Sequence, residues 1–125
     1  MSVLIVEDEA PVRELLREVL SSHYTCADVE TAEAALALLS ERKFDVLLTD
    51  VSLPGMSGVQ LVRRVYALYP DVCVIVMSGA PVEASHRWGT FDVYAYLLKP
   101  LDLSEVERCV AEAIEHCRNR RAGSG

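Results

Sequence analysis

The chain has 125 residues, 51% of them apolar, and a formal net charge of −7 from 12 basic and 19 acidic side chains. Its length predicts one domain, and an apolar fraction this high beside 25% charged residues excludes a disordered chain. The acidic balance argues against direct contact with nucleic acid or an anionic membrane. No apolar run approaches the ~20 residues of a bilayer span. The start Met1-Ser2-Val3-Leu4 lacks a basic signal-peptide region, so a cytoplasmic protein is expected.

Val3-Leu4-Ile5-Val6 is a continuous run of β-branched residues and leucine, the pattern of a strand covered on both faces. Over 11–20, Val12, Leu15, Leu16, Val19 and Leu20 recur at helical spacing behind Pro11, a first-turn residue. Residues 24–29 make a weaker strand. Thr31 caps a helix running to about residue 42, with Ala35, Leu36, Leu38 and Leu39 inward. Val46-Leu47-Leu48-Thr49 is a third strand ending at Asp50.

Pro54-Gly55-Met56-Ser57-Gly58 breaks the chain. Residues 59–68 then form a helix with Leu61, Val62, Val65 and Leu68 as its stripe, and Pro70-Asp71 ends it. Residues 72–77 are the most apolar strand, 81–89 a short irregular helix, and 93–98 the last strand. Asp102 with Glu105 predicts a capping box opening a helix through about His116. From Arg118 the chain turns basic and then Gly/Ser-rich. The domain is therefore placed at 1–118, with 119–125 a tail or the start of a linker.

Five strands alternating with five helices imply right-handed crossovers and a parallel sheet covered on both faces. The periodicity leaves strand order open. In such sheets ligands sit beyond the carboxyl ends of the strands, where the strand order reverses. Glu7 and Asp8 follow the first strand, Asp50 the third, Ser78 the fourth and Lys99-Pro100 the fifth. All of them fall at those carboxyl ends. Three converging carboxylates repel unless a cation joins them, and a hard divalent ion such as Mg²⁺ suits oxygen ligands. Carboxylates, Mg²⁺, a lysine and a hydroxyl together can hold a phosphoryl group, with one carboxylate as nucleophile forming an aspartyl phosphate.

Each signal has a plainer reading. Glu9 is a charged first-turn residue favoured by the helix dipole. Asp50 before Pro54-Gly55 could be a turn residue, but an acid ending a buried apolar strand needs a partner. Ser78-Gly79 is a common turn, and Tyr96 could serve packing alone. His23, His86 and His116 have no zinc spacing. Cys26, Cys73, Cys109 and Cys117 form no C-x-x-C pair and read as buried reduced thiols. Trp88, Phe91 and Tyr94 read as a satellite core rather than a docking patch. Arg118, Arg120 and Arg121 read as a soluble helix end or linker rather than a nucleic-acid tail.

Val6-Glu7-Asp8-Glu9, Thr49-Asp50, Leu53-Pro54-Gly55-Met56-Ser57-Gly58, Met77-Ser78-Gly79 and Tyr96-Leu97-Leu98-Lys99-Pro100 occur in order, each after a predicted strand. The sequence thereby resembles the receiver domains of two-component response regulators, over nearly the whole chain. The resemblance implies a flavodoxin-like three-layer sandwich, a five-stranded parallel sheet of order 2-1-3-4-5 with five helices. It implies Asp50 as phosphoacceptor from a sensor histidine kinase or phosphotransfer protein. Mg²⁺, with Mn²⁺ as a substitute, would be held by Glu7, Asp8, Asp50 and the backbone carbonyl of Ser52. Ser78 and Lys99 would contact the phosphoryl group, Tyr96 would be the switch aromatic, and Lys99-Pro100 a cis peptide.

The role implied is regulatory rather than enzymatic. Phosphoryl acceptance and slow hydrolysis are self-catalysed, and the surface of the fourth helix, fifth strand and fifth helix reports the state to an effector domain or downstream protein, or through a homodimer. One departure stands out. Phe91-Asp92-Val93-Tyr94-Ala95 replaces the Gly-Ala pair with which many members enter the fifth strand. Two rivals remain: a pseudo-receiver that binds proteins independently of phosphate, and a flavin carrier of the same topology. Glu7-Asp8-Glu9 would repel a flavin phosphate.

Overall fold

The computed structural model describes residues 1–79 and 93–124. Its strands are β1 (Ser2–Val6), β2 (Thr25–Val29), β3 (Val46–Asp50), β4 (Cys73–Ser78) and β5 (Ala95–Leu98). Its helices are α1 (Ala10–Ser21), α2 (Ala32–Glu41), α3 (Gly58–Leu68) and α4 (Leu103–Ser124). The strands form one parallel sheet in the order β2-β1-β3-β4-β5. The fourth of the five expected helices, over 81–89, lies outside the described residues.

The continuous apolar runs follow from burial on both faces. In β1, Val3 and Ile5 face one core with Leu16 and Leu20 of α1 and Val106, Val110 and Ala113 of α4. Leu4 and Val6 face the other, with Ala35 and Leu39 of α2 and Leu61, Val62 and Val65 of α3. Successive strand residues point to opposite faces, so a strand between two helix layers has no polar positions to spare.

Local chemistry sets the element ends. The Thr31 hydroxyl accepts from the Ala34 amide (3.1 Å) at the start of α2. Ser57 and Gln60 exchange a reciprocal capping box at the start of α3. The expected β2 began at Tyr24, but the Tyr24 amide closes α1 by donating to the Leu20 carbonyl (3.0 Å). Likewise the Val72 amide turns back to the Tyr69 carbonyl, so β4 starts at Cys73.

The largest difference lies in α4, which runs on to Ser124 rather than ending near His116. Cys117, 1% exposed, continues its buried stripe, and Arg120 Nη2 donates to the Pro70 carbonyl (3.3 Å). At its start Asp102 Oδ1 accepts from the amides of Ser104 (2.9 Å) and Glu105 (3.4 Å). All four cysteines are free thiols, Cys26 half-buried and the others buried. Among the described residues no helix is long and apolar enough to cross a membrane.

Candidate functional site

The strand order reverses between β1 and β3, the neighbouring strands at the centre of the sheet. A crevice opens there beyond the carboxyl ends. β1 delivers Glu7 and Asp8 to it, and β3 delivers Asp50. Glu7 is fully buried and Asp50 is 5% exposed, whereas Asp8 is exposed. Glu7, Asp8 and Asp50 each offer a carboxylate oxygen, and these oxygens lie within 4.8 Å of one another.

Lys99 arrives from the end of β5. Its Nζ donates to Glu7 Oε1 at 2.7 Å and to Asp50 Oδ2 at 2.5 Å. The second oxygen of each acid takes a backbone donor: Glu9 N–H to Glu7 Oε2 (3.1 Å), and Ser52 N–H to Asp50 Oδ1 (3.0 Å). Both buried carboxylates are thus satisfied, as burial requires. The Lys99 amide donates to the Ser78 carbonyl (2.7 Å), and the Lys99-Pro100 peptide is cis.

The electrostatics are frustrated. Burial raises the pKa of Glu7; the Lys99 hydrogen bond opposes that shift, and the charge of Asp50 adds to it. For Lys99, burial alone would lower the pKa, but the hydrogen bonds to Asp50 and Glu7 outweigh it and hold the ammonium above the ordinary lysine range. Three carboxylates against one ammonium leave two negative charges, the charge of one divalent cation. Oxygens sharing one Mg²⁺ lie at most about 4.2 Å apart. A spread within 4.8 Å is close to that limit, and the all-oxygen donor set fits the ion.

The loop after β3 is packed tightly against this site. A Cβ on Gly58 would lie 2.2 Å from the Asp50 carbonyl oxygen and 2.8 Å from Val51 Cα, so only glycine fits. Gly55 has φ +73°, and the Met56 amide reaches Glu33 Oε2 of α2 at 3.5 Å.

Glu7, Asp8, Asp50 and Lys99 are thus brought together. Ser78 ends β4 beside them, paired with Leu98. Tyr96 lies outside the cluster, 37% exposed on β5 opposite Val76. The sequence reading missed Arg13 and Asp28. Arg13 Nη1 donates to the Glu7 carbonyl (2.9 Å), and its Nε pairs with Asp28 Oδ2 (3.3 Å). No spacing rule joins a helix residue to the end of β2; the pairing is readable only once β2 is known to flank β1.

Fold and site define a doubly wound α/β domain with a lysine-bridged cluster of three carboxylates at its switch point. Residues 3–111 match the response regulator receiver domain family, and the chain belongs to that family. It is 34% identical over 125 residues to the DNA-binding transcriptional regulator NtrC of Salmonella typhimurium, covering 95% of this chain and 26% of that protein. It is 36% identical to the phosphate regulon transcriptional regulatory protein PhoB of Pseudomonas aeruginosa, covering 84% of this chain and 48% of that one. The chain therefore spans between about a quarter and a half of these relatives.

A signal receiver domain of an HD domain-containing protein from Pseudomonas fluorescens superposes with TM-score 0.85 at 29% identity, covering 94% of this chain and 97% of that one. A CheY-like receiver domain protein from Methanospirillum hungatei superposes at 0.86 with 23% identity over 95% and 97%, a likeness of fold. Receiver domains are the regulatory modules of two-component signalling. They bind Mg²⁺ at an acidic pocket and interact with histidine kinases and effector domains.

Proposed function

We propose that this domain accepts a phosphoryl group on Asp50 from the phosphohistidine of a sensor histidine kinase or phosphotransfer protein. The observation that carries this reading is Asp50 itself. It is a nearly buried carboxylate at the end of a central strand, bonded to Lys99 and within 4.8 Å of two further acids. An Asp50 oxygen attacks phosphorus, the P–N bond breaks, and its electron pair leaves with the imidazole. Glu7, Asp8, Asp50 and the Ser52 carbonyl would hold Mg²⁺, or Mn²⁺ in its place, which when bound supplies positive charge against the phosphoryl oxygens. Lys99 exchanges its bond to Asp50 for one to the phosphoryl group, and the Ser78 hydroxyl donates to another of its oxygens.

The switch is a two-state equilibrium biased by those new bonds. Tyr96, at the surface, moves inward behind Ser78. The change is read on the face of β5 and α4, by an effector domain, a downstream protein or a second copy. A depression of about 270 Å³ beside Lys99, formed by Pro11, Val12, Leu15, Pro100, Leu101 and Leu103, offers the phosphodonor an apolar seat. The unit is cytoplasmic and its core spans 1–118, with the end of α4 from residue 119 a helical tail or the start of a linker. Its charge of −7 leaves any DNA contact to other segments.

Incubation with acetyl phosphate and Mg²⁺, followed by intact-mass spectrometry, tests this. One labile phosphoryl adduct is expected, absent without metal and absent from Asp50→Asn. A folded native chain that takes no phosphoryl group from acetyl phosphate or from a phosphorylated kinase would overturn the reading in favour of a phosphate-independent binding module.

A further inference from the structure

We propose that Arg13 is a positioning residue for the cation centre, anchored by Asp28 and acting through the Glu7–Asp8 peptide; this rests on the reading of Glu7, Asp8 and Asp50 as cation ligands. One guanidinium makes both contacts. Nη1 donates to the Glu7 carbonyl (2.9 Å) while Nε pairs with Asp28 Oδ2 (3.3 Å). Both side chains of the pair are 17% exposed, and Arg17 Nη1 holds the other Asp28 oxygen at 3.0 Å. Asp28 is therefore a fixed anchor on β2, and Arg13 a planar fork bridging it to the end of β1.

The carbonyl that Arg13 holds belongs to the peptide plane that carries the Asp8 amide. The Glu7 amide on the preceding plane donates to the Val29 carbonyl (3.1 Å). The Glu7 side chain is held separately, by Lys99 and the Glu9 amide. Asp8 itself is exposed, at a turn that leaves the sheet. With Glu7 buried and bonded on every side, the orientation of its carbonyl sets where the Asp8 carboxylate points. Partners that orient a metal ligand typically contribute 10–100-fold in affinity.

Electrostatics alone predicts the opposite sign, which makes the idea testable. Arg13 is a cation close to an acidic centre, so its removal should tighten cation binding if charge were its only effect. Mn²⁺ binding, followed by the electron paramagnetic resonance of the free aquo ion, separates the two. Arg13→Gln is expected to bind Mn²⁺ about tenfold more weakly, with phosphorylation from acetyl phosphate recovering as metal is raised to saturation. Asp28→Asn should weaken binding less, and the double variant should match Arg13→Gln alone.

Arg13→Lys keeps the charge but loses the fork, and should bind about threefold more weakly. It also serves if Arg13→Gln does not fold. Asp8→Asn is the control. If the native chain binds Mn²⁺, Asp8→Asn does not, and the Arg13 variants bind as tightly as native or more so, the positioning role is overturned while the cation centre stands. If the native chain itself binds no Mn²⁺, the cation reading fails and this inference with it.

Discussion

Asp45 and Asp50 lie at opposite ends of one strand, and both are almost fully buried, at 9% and 5% exposure. Asp45 accepts the Ser2 amide at 2.8 Å, one acid tying down the start of β1. Around it are Phe44 under the Arg42 guanidinium and the thiols of Cys73 and Cys117. Asp50 instead shares a lysine with a second buried acid and faces a third. The amino end of the sheet is arranged to be satisfied by the chain itself, and the carboxyl end to be short of positive charge. Buried like charges oppose folding, and residues kept in such arrangements mark sites where function is bought with stability.

The comparison breaks most completely with substitution of the two acids. Asp50→Asn should remove all phosphorylation in intact-mass assays, while metal-free urea unfolding shows stability equal to or above native, because a repelling charge is gone. Asp45→Ala should leave phosphorylation unchanged and destabilise by about 1 kcal/mol through the unpaired Ser2 amide.

Gly58→Ala drives a Cβ against the Asp50 and Val51 backbone, which has nowhere to move. A loss of about 3 kcal/mol or more in urea unfolding is expected. A near-native midpoint would mean that the loop behind Asp50 is looser than its contacts indicate.

Metal should relieve the carboxyl end alone. Mg²⁺ at ten times its dissociation constant should stabilise the native chain by about 1.4 kcal/mol, and Asp8→Asn should erase that gain in thermal unfolding. Lys99→Ala should keep metal binding but lose signalling output, and its thermal stability should depend more steeply on Mg²⁺.

The smallest effect belongs to the amino end. Burial pushes the Cys73 thiol up to about 12, with neighbouring Cys117 adding to the shift. Cys73 should therefore stay protonated and resist iodoacetamide at pH 8 in the folded protein, and react only after unfolding. Rapid native-state labelling of Cys73 would show that this end opens.

The contrast between the ends was partly legible in the sequence. Strands buried on both faces announce themselves as Val3-Leu4-Ile5-Val6 and Val46-Leu47-Leu48, and any acid or lysine directly after such a run lands at the carboxyl edge. Glu7, Asp8, Asp50, Ser78 and Lys99 were found that way. Contacts that depend on which strands are neighbours were not: Arg13 meets Asp28 only because β2 flanks β1, and the Asp45 contact with Ser2 needs β1 beside β3. The extension of α4 was hidden because the stretch after Cys117, basic and then Gly/Ser-rich, has the composition of a linker although the helix continues through it.

The role of Asp50 is tested most directly by locating the phosphoryl group itself. Native protein treated with acetyl phosphate and Mg²⁺ would be reduced with borohydride, which converts an aspartyl phosphate to homoserine, and then mapped by peptide mass spectrometry. Homoserine is expected at position 50 alone, dependent on metal, with Asp45 untouched on the same peptide. Homoserine at another acid, or none in a folded chain that has taken up phosphoryl, would contradict it.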